Sequence, residues 1–143
     1  MSPISSAPDI TQLEIPVDVW TKPFWDATAQ GKLLFPRCTN CDRFRWPPGP
    51  FCPACQSQDV RWIAAGPARL YSYTIITVRD DVENRPPRFI VPALAEFSGV
   101  DHVRLLGALV DAPLDAIEIG MNLTIGWSRT AEFSVPIFHL AEG

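Results

Sequence analysis

Four cysteines in two pairs decide what the first half of this chain can fold into. Cys38-Thr39-Asn40-Cys41 and Cys52-Pro53-Ala54-Cys55 stand ten residues apart, and the sequence holds no other cysteine. Each pair sets two thiolates on one tight turn. Two such turns brought together make a tetrahedral four-sulfur cage, the geometry of a structural Zn2+ site closed to water and substrate. A pair of disulfides would require an exported protein, and nothing else in the chain points to export. A dithiol redox motif needs only one pair, beside a βαβ unit. The spacing therefore predicts one Zn2+ held by Cys38, Cys41, Cys52 and Cys55.

Composition agrees with a small domain carrying a metal-stapled module. Hydrophobic residues make up 47% of the 143 and charged residues 20%, enough for a core. No stretch approaches the roughly 18 to 20 apolar residues needed to span a bilayer. Residues 1–15 have neither a basic nor an apolar leader region, and their serines and prolines predict a disordered arm. A cytoplasmic location is the matching expectation. The formal charge is −4; four zinc-bound thiolates and one Zn2+ would take it to −6. Nucleic-acid binding depends on neutralising phosphates, so an acidic balance argues against it. It stays the alternative reading, because ribbons and β-barrels do bind strands. Arg37, Arg43 and Arg45 surround the first cysteine pair, where they can compensate its charge.

Ahead of the cysteines lies a helical signal. Thr21 can cap it, Pro23 sits in the first turn, and Gly31 can end it. Leu33-Leu34-Phe35 and Phe44-Arg45-Trp46 read as the two halves of a hairpin. Pro47-Pro48-Gly49-Pro50 forces a rigid extended connection. Val60 to Ile63 reads as a strand leaving the ribbon, and Gly66-Pro67 as the boundary between a module at 16–66 and a second at 67–143. Beyond it, β-branched and aromatic runs at 70–78, 89–97, 103–110, 122–128 and 135–140 predict five strands. Gly107 and Gly120 mark an expected bulge and turn. The count fits an OB-fold, a five-stranded Greek-key barrel, so the predicted class is mainly β: helix, zinc ribbon, barrel.

Catalytic chemistry is thinly supplied. His102 and His139 accompany no glycine-framed serine, and every cysteine is committed to metal. A zinc held by four thiolates has no open position for water. Asp80, Asp81 and Glu83 form a loop charge run, and Glu96 lies in an apolar strand where it needs a donor such as Arg104.

The ordered set of Pro23-Phe24-Trp25, Cys38 through Cys55 with Pro47-Pro48 between, Leu70-Tyr71-Ser72 and Ile119-Gly120-Met121, followed by Val135-Pro136-Ile137-Phe138, resembles a known family. It is similar to the rubredoxin-like zinc-ribbon plus OB-fold proteins first catalogued as a domain of unknown function. The resemblance spans about residues 16 to 140. It implies a non-catalytic accessory subunit that stabilises a thiolase-fold enzyme acting on acyl-CoA, in thiolysis, acyl transfer or retro-aldol cleavage, and that helps shape its CoA channel. One departure is the entry to the first barrel strand, Gly66-Pro67-Ala68-Arg69, where the family often has a glycine-rich stretch. Aromatics and arginines anchor interfaces, so Phe24, Trp25, Arg37, Arg43, Phe44, Arg45 and Trp46 are the candidate partner- or CoA-facing residues.

Overall fold

The computed structural model describes residues 3–142. Its elements run α1 (Lys22–Ala29), β1 (Leu34–Cys38), β2 (Val60–Ala64), β3 (Ala68–Tyr73), β4 (Ile76–Val78), β5 (Arg88–Ile90), β6 (Pro92–Phe97), β7 (Val100–Ala108), a 3-10 turn (Leu114–Ala116), β8 (Asn122–Arg129) and β9 (Ser134–Leu140). No helix among the described residues is long and apolar enough to cross a membrane.

The first helix forms where the sequence predicts it, with a different cap. Thr21 is the N-cap residue but makes no side-chain cap bond. Asp18 takes that task in the preceding turn, its Oδ1 accepting from the Trp20 and Thr21 N–H groups at 2.9 and 2.8 Å. At the other end Gly31 adopts φ +74°. Its N–H donates to Thr28 O, and the Lys32 N–H reaches back to Ala27 O, both at 3.0 Å. This is a Schellman ending, which glycine enters without a Cβ clash.

β1 pairs antiparallel with β2, from Leu34 opposite Ala64 to Cys38 opposite Val60. The predicted hairpin partner, Phe44 to Trp46, makes only an isolated bridge to Arg37 on the other side of β1. Pro47 and Pro48 follow at once, and prolines cannot extend a ladder.

In the C-terminal half the five-stranded sheet runs β7-β6-β3-β8-β9. It curls into an OB-like half-barrel whose outer strands touch where Leu109 bridges Phe138 in parallel. The predicted strand at 70–78 is two strands, and so is 89–97. Pro92 accepts from the Thr74 N–H at 3.0 Å but has no N–H to return. The ladder is interrupted there, and β4 and β5 pair with each other as a separate hairpin. Gly107, expected at a bulge, lies in register opposite Ala93. A Cβ there would come within 2.8 Å of the Phe138 ring, so glycine is needed for packing instead.

Pro3 to Ser6 lies along the barrel, where the sequence predicts a disordered arm. Ser5 is 2% exposed. Its N–H donates to Ala112 O at 2.9 Å, and its carbonyl accepts from the Asp111 N–H at the same distance. Backbone bonding holds a segment that lacks apolar bulk. Met1 and Ser2 of that arm lie outside the described residues.

One core runs through both halves. Phe35, Leu70, Val91, Ala95, Leu109 and Phe138 are fully buried. A chain of rings crosses the joint: Phe24 to Trp46 at 5.1 Å, Trp46 to Phe35 at 5.0 Å, and Phe35 to Phe97 at 5.2 Å between centroids. Helix, ribbon and barrel meet there.

Candidate metal centre and its surroundings

The four cysteines converge as their spacing predicts. Their Sγ atoms all lie within 4.8 Å of one another. The cross-knuckle pairs Cys38–Cys55 and Cys41–Cys52 are each at 3.5 Å. A Zn–S bond of about 2.3 Å implies a tetrahedral edge of about 3.8 Å. The separations match a metal cage and are too long for disulfides, whose S–S distance is about 2.05 Å.

The cage is built by one backbone device used twice, fourteen residues apart. The Cys38 N–H donates to Arg43 O and the Asp42 N–H to Cys38 O, at 2.8 and 2.9 Å. In the second knuckle the Cys52 N–H donates to Ser57 O and the Gln56 N–H to Cys52 O, both at 2.9 Å. Asp42 and Gln56, each following its knuckle's second cysteine, take φ +65° and +66°. This left-handed turn aims backbone N–H groups at the sulfurs. The Ala54 N–H reaches Cys52 Sγ at 3.4 Å.

The electrostatics suit a cation. The Cys55 backbone N–H, ahead of other contacts, holds the Cys52 thiol down to about 6. Cys38 is likewise lowered, chiefly by the Cys41 N–H. Cys41 goes the other way. The Arg43 N–H favours its thiolate, but the sulfur contact with Cys52, partial desolvation by the surrounding knuckles, and the contacts with Cys55 and Cys38 together push it up to about 12. One thiolate forms readily and its charge resists the next, a conflict that a divalent ion at the centre removes. Cys38 and Cys52 are buried, Cys55 is half-buried and Cys41 is exposed.

Arg45 is 4% exposed. Its guanidinium donates to Gly49 O at 2.7 Å and Ser57 O at 2.8 Å, and its backbone N–H donates to Pro36 O at 2.9 Å. It ties β1, the proline-rich connection and the second knuckle into one unit. Arg37 is surface-facing: its Nε donates to Asp42 O at 3.1 Å, and its guanidinium lies 5.8 Å from the Phe44 ring centroid. Arg43 is exposed, Phe24 is buried, and Trp25, Phe44 and Trp46 are half-buried. Arg43, Phe44, Trp46 and the exposed Phe51 line a concavity of about 350 Å³ that His102 closes from the barrel side.

Three of the remaining polar candidates, Asp80, Glu96 and His139, have partners. Asp80 accepts from Arg85 at 3.1 Å and lies 3.5 Å from Arg88; the Arg85 hydrogen bond, ahead of other effects, holds its carboxyl below the usual range. Glu96 stands between Arg69 at 3.6 Å and Arg104 at 3.9 Å. His139 Nδ1 is 3.2 Å from Val110 O. Residue-level reasoning missed the stacking of Arg104 over Tyr71, 4.2 Å from guanidinium carbon to ring centroid. The two are distant in sequence, and only strand register brings them together.

Against known proteins, a family profile described as "ChsH2, rubredoxin-like zinc ribbon domain" matches residues 25–61. The chain is 37% identical over 126 residues to a "Probable enoyl-CoA hydratase alpha subunit" of Thermomonospora curvata, a match covering 82% of this chain. The match covers only 37% of that relative's length. The structure is similar to an "Ltp2-ChsH2(DUF35) aldolase", with TM-score 0.75 and 31% identity, over 89% of this chain and 98% of that one. It also shares its fold with a DUF35-family protein of unknown function from Sulfolobus solfataricus, at TM-score 0.64 and 20% identity over 87% of each chain.

Proposed function

The chain belongs to the ChsH2 (DUF35) family, and we propose that it is a non-catalytic subunit of a thiolase-fold enzyme acting on acyl-CoA, held in shape by one structural Zn2+. The observation carrying this reading is its likeness, over nearly the whole length of the other chain, to a protein whose name couples ChsH2 to an aldolase. The hydratase subunit name of the curated relative supports a setting in acyl-CoA chemistry.

Zinc would be held by Cys38, Cys41, Cys52 and Cys55. With four thiolates filling the tetrahedron, the ion supplies shape and no open coordination position. The surface around it carries the partner- and CoA-facing role. Arg37, Arg43 and Phe44 present guanidinium groups and a ring beside the cage, and Phe24 and Arg45 are buried behind them. Trp46 packs half-buried on Phe24 and Phe35, and Trp25 lines a separate hollow with Val17 and Phe133. Guanidinium groups suit the phosphates of CoA where a channel opens between subunits.

Purification from the native host with mass spectrometry of the complex tests the reading. A thiolase-fold subunit should co-purify stoichiometrically, and the isolated chain should show no turnover with acyl-CoA thioesters. Reproducible thiolysis, hydration or aldol cleavage by the chain alone, abolished by a point substitution, would overturn it.

A further inference from the structure

The outer face of the half-barrel is built like an interface and is uncovered. On β7, Leu106 is 66% exposed, and on β3, Tyr71 is 45% exposed. Leu94 lies between them, opposite Leu106 on one side and Ser72 on the other. These residues make an apolar row across three strands. Beside it runs an ionic row in which Arg69 and Arg104 share the one carboxylate of Glu96.

That ionic row is underfilled. The Arg104–Glu96 separation of 3.9 Å is too long for a hydrogen bond, and Arg104 Nε is buried with no hydrogen-bond partner. The guanidinium is nonetheless held over the Tyr71 ring at 4.2 Å with a third of the side chain still exposed, so a cation with unspent donor capacity is already positioned there. The face is also shaped by an irregularity. Between the pairs Ala95–Leu105 and Phe97–Val100, Glu96 alone opposes four residues of β7. His102 in this bulge takes φ +66°, a conformation that costs energy outside glycine. Bulges of this kind re-aim side chains. Here the bulge turns His102 into the concavity it shares with Phe51 and Arg43, which joins the barrel face to the ribbon face.

We propose that this outer face of β3, β6 and β7 is a docking surface for the enzyme subunit, and that the subunit brings to it a carboxylate set among apolar side chains. The carboxylate completes the shortfall between Arg69 and Arg104, and the apolar surround covers Leu106, Leu94 and Tyr71. Rings and arginines packed in such an arrangement are the residue types that carry binding energy at interfaces. The inference rests on the accessory-subunit reading and adds where, and with what chemistry, the partner sits.

The test uses the full chain and the enzyme subunit purified from the native complex. Leu106→Asp and Arg104→Glu should each weaken association at least tenfold, with metal content and circular dichroism unchanged. Val82→Asp, at a residue 53% exposed on the β4–β5 loop, should leave it unchanged. Wild-type binding with neither Leu106→Asp nor Arg104→Glu having an effect overturns this surface and leaves the accessory role standing. No complex with the wild-type chain overturns both. Self-association of the chain that Leu106→Asp abolishes, or binding of a labelled single-stranded oligonucleotide that Arg104→Glu abolishes, would assign the face to a second copy or to nucleic acid and overturn the proposal.

Discussion

Single residues in this protein carry strain and burial that their types do not advertise. Gln56 closes the second knuckle at φ +66°, where an L-residue costs about 1–2 kcal/mol relative to the right-handed region. Gln56→Gly should relieve part of that and raise the thermal midpoint of the metal-loaded chain. Gln56→Val, with a branched Cβ in the same turn, should lower it, and thermal unfolding of both variants beside wild type gives the sign directly. Arg45 is the opposite case, a charged residue committed wholly to structure. Arg45→Met keeps most of the apolar bulk but strips charged donors from Gly49 O and Ser57 O. It should cost about 3 kcal/mol, the scale of hydrogen bonds to charged groups plus stranded carbonyls. A chemical denaturation series checks it; a loss below about 1 kcal/mol would mean that water replaces the guanidinium.

Among elements, the ribbon and the half-barrel draw on different sources of stability. β1 and β2 form a two-stranded sheet, and a lone pair of strands is marginal in water. The cysteine cage must therefore supply much of its folding energy, as metal does in small modules. The half-barrel has its own buried set in Leu70, Val91, Val103, Leu109 and Phe138. Stripping the metal with a chelator, or replacing Cys52 by Ser, should release amide protection across β1 and β2 first. β6 and β7 should stay protected. Hydrogen exchange read by mass spectrometry resolves the two, and simultaneous loss in both halves would show that the barrel depends on the metal as well.

For the whole molecule, the ring chain through Phe24, Trp46, Phe35 and Phe97 is the joint. Its position changes what a substitution at Trp46 reports. From sequence, Trp46 belongs with the partner-facing residues, and Trp46→Ala would be expected to weaken association with the fold intact. In the structure its ring packs on both Phe24 and Phe35, so Trp46→Ala should first cost stability. About 3 kcal/mol is the low end for truncating a large aromatic in a core, as suits a half-buried ring. Differential scanning calorimetry should show the single transition of the wild type broaden or split as ribbon and barrel uncouple. Phe44→Ala, at the ribbon surface beside Arg37, is the cleaner probe of docking, and an affinity loss of about 2 kcal/mol is the hot-spot scale expected of it.

The metal cage, the helix and the order of modules were legible in the sequence because each rests on short-range chemistry. Two cysteines three apart share one turn wherever they fold, a proline near the start and a glycine past the end bound a helix, and alternating β-branched residues make strands. The partner of β1, the division of the 70–78 run opposite Pro92, and the docking of Pro3–Ser6 on the barrel were not legible. Each depends on which backbone groups are left to pair after distant strands have met. Tertiary structure alone turned Arg45 inward and stacked Arg104 on Tyr71, since burial and register are properties of the assembled sheet. The sequence by itself determined that this chain builds a four-thiolate cage ahead of a β half-barrel; only the fold decided which of its arginines and rings were spent on holding the two together, and which remained on the surface.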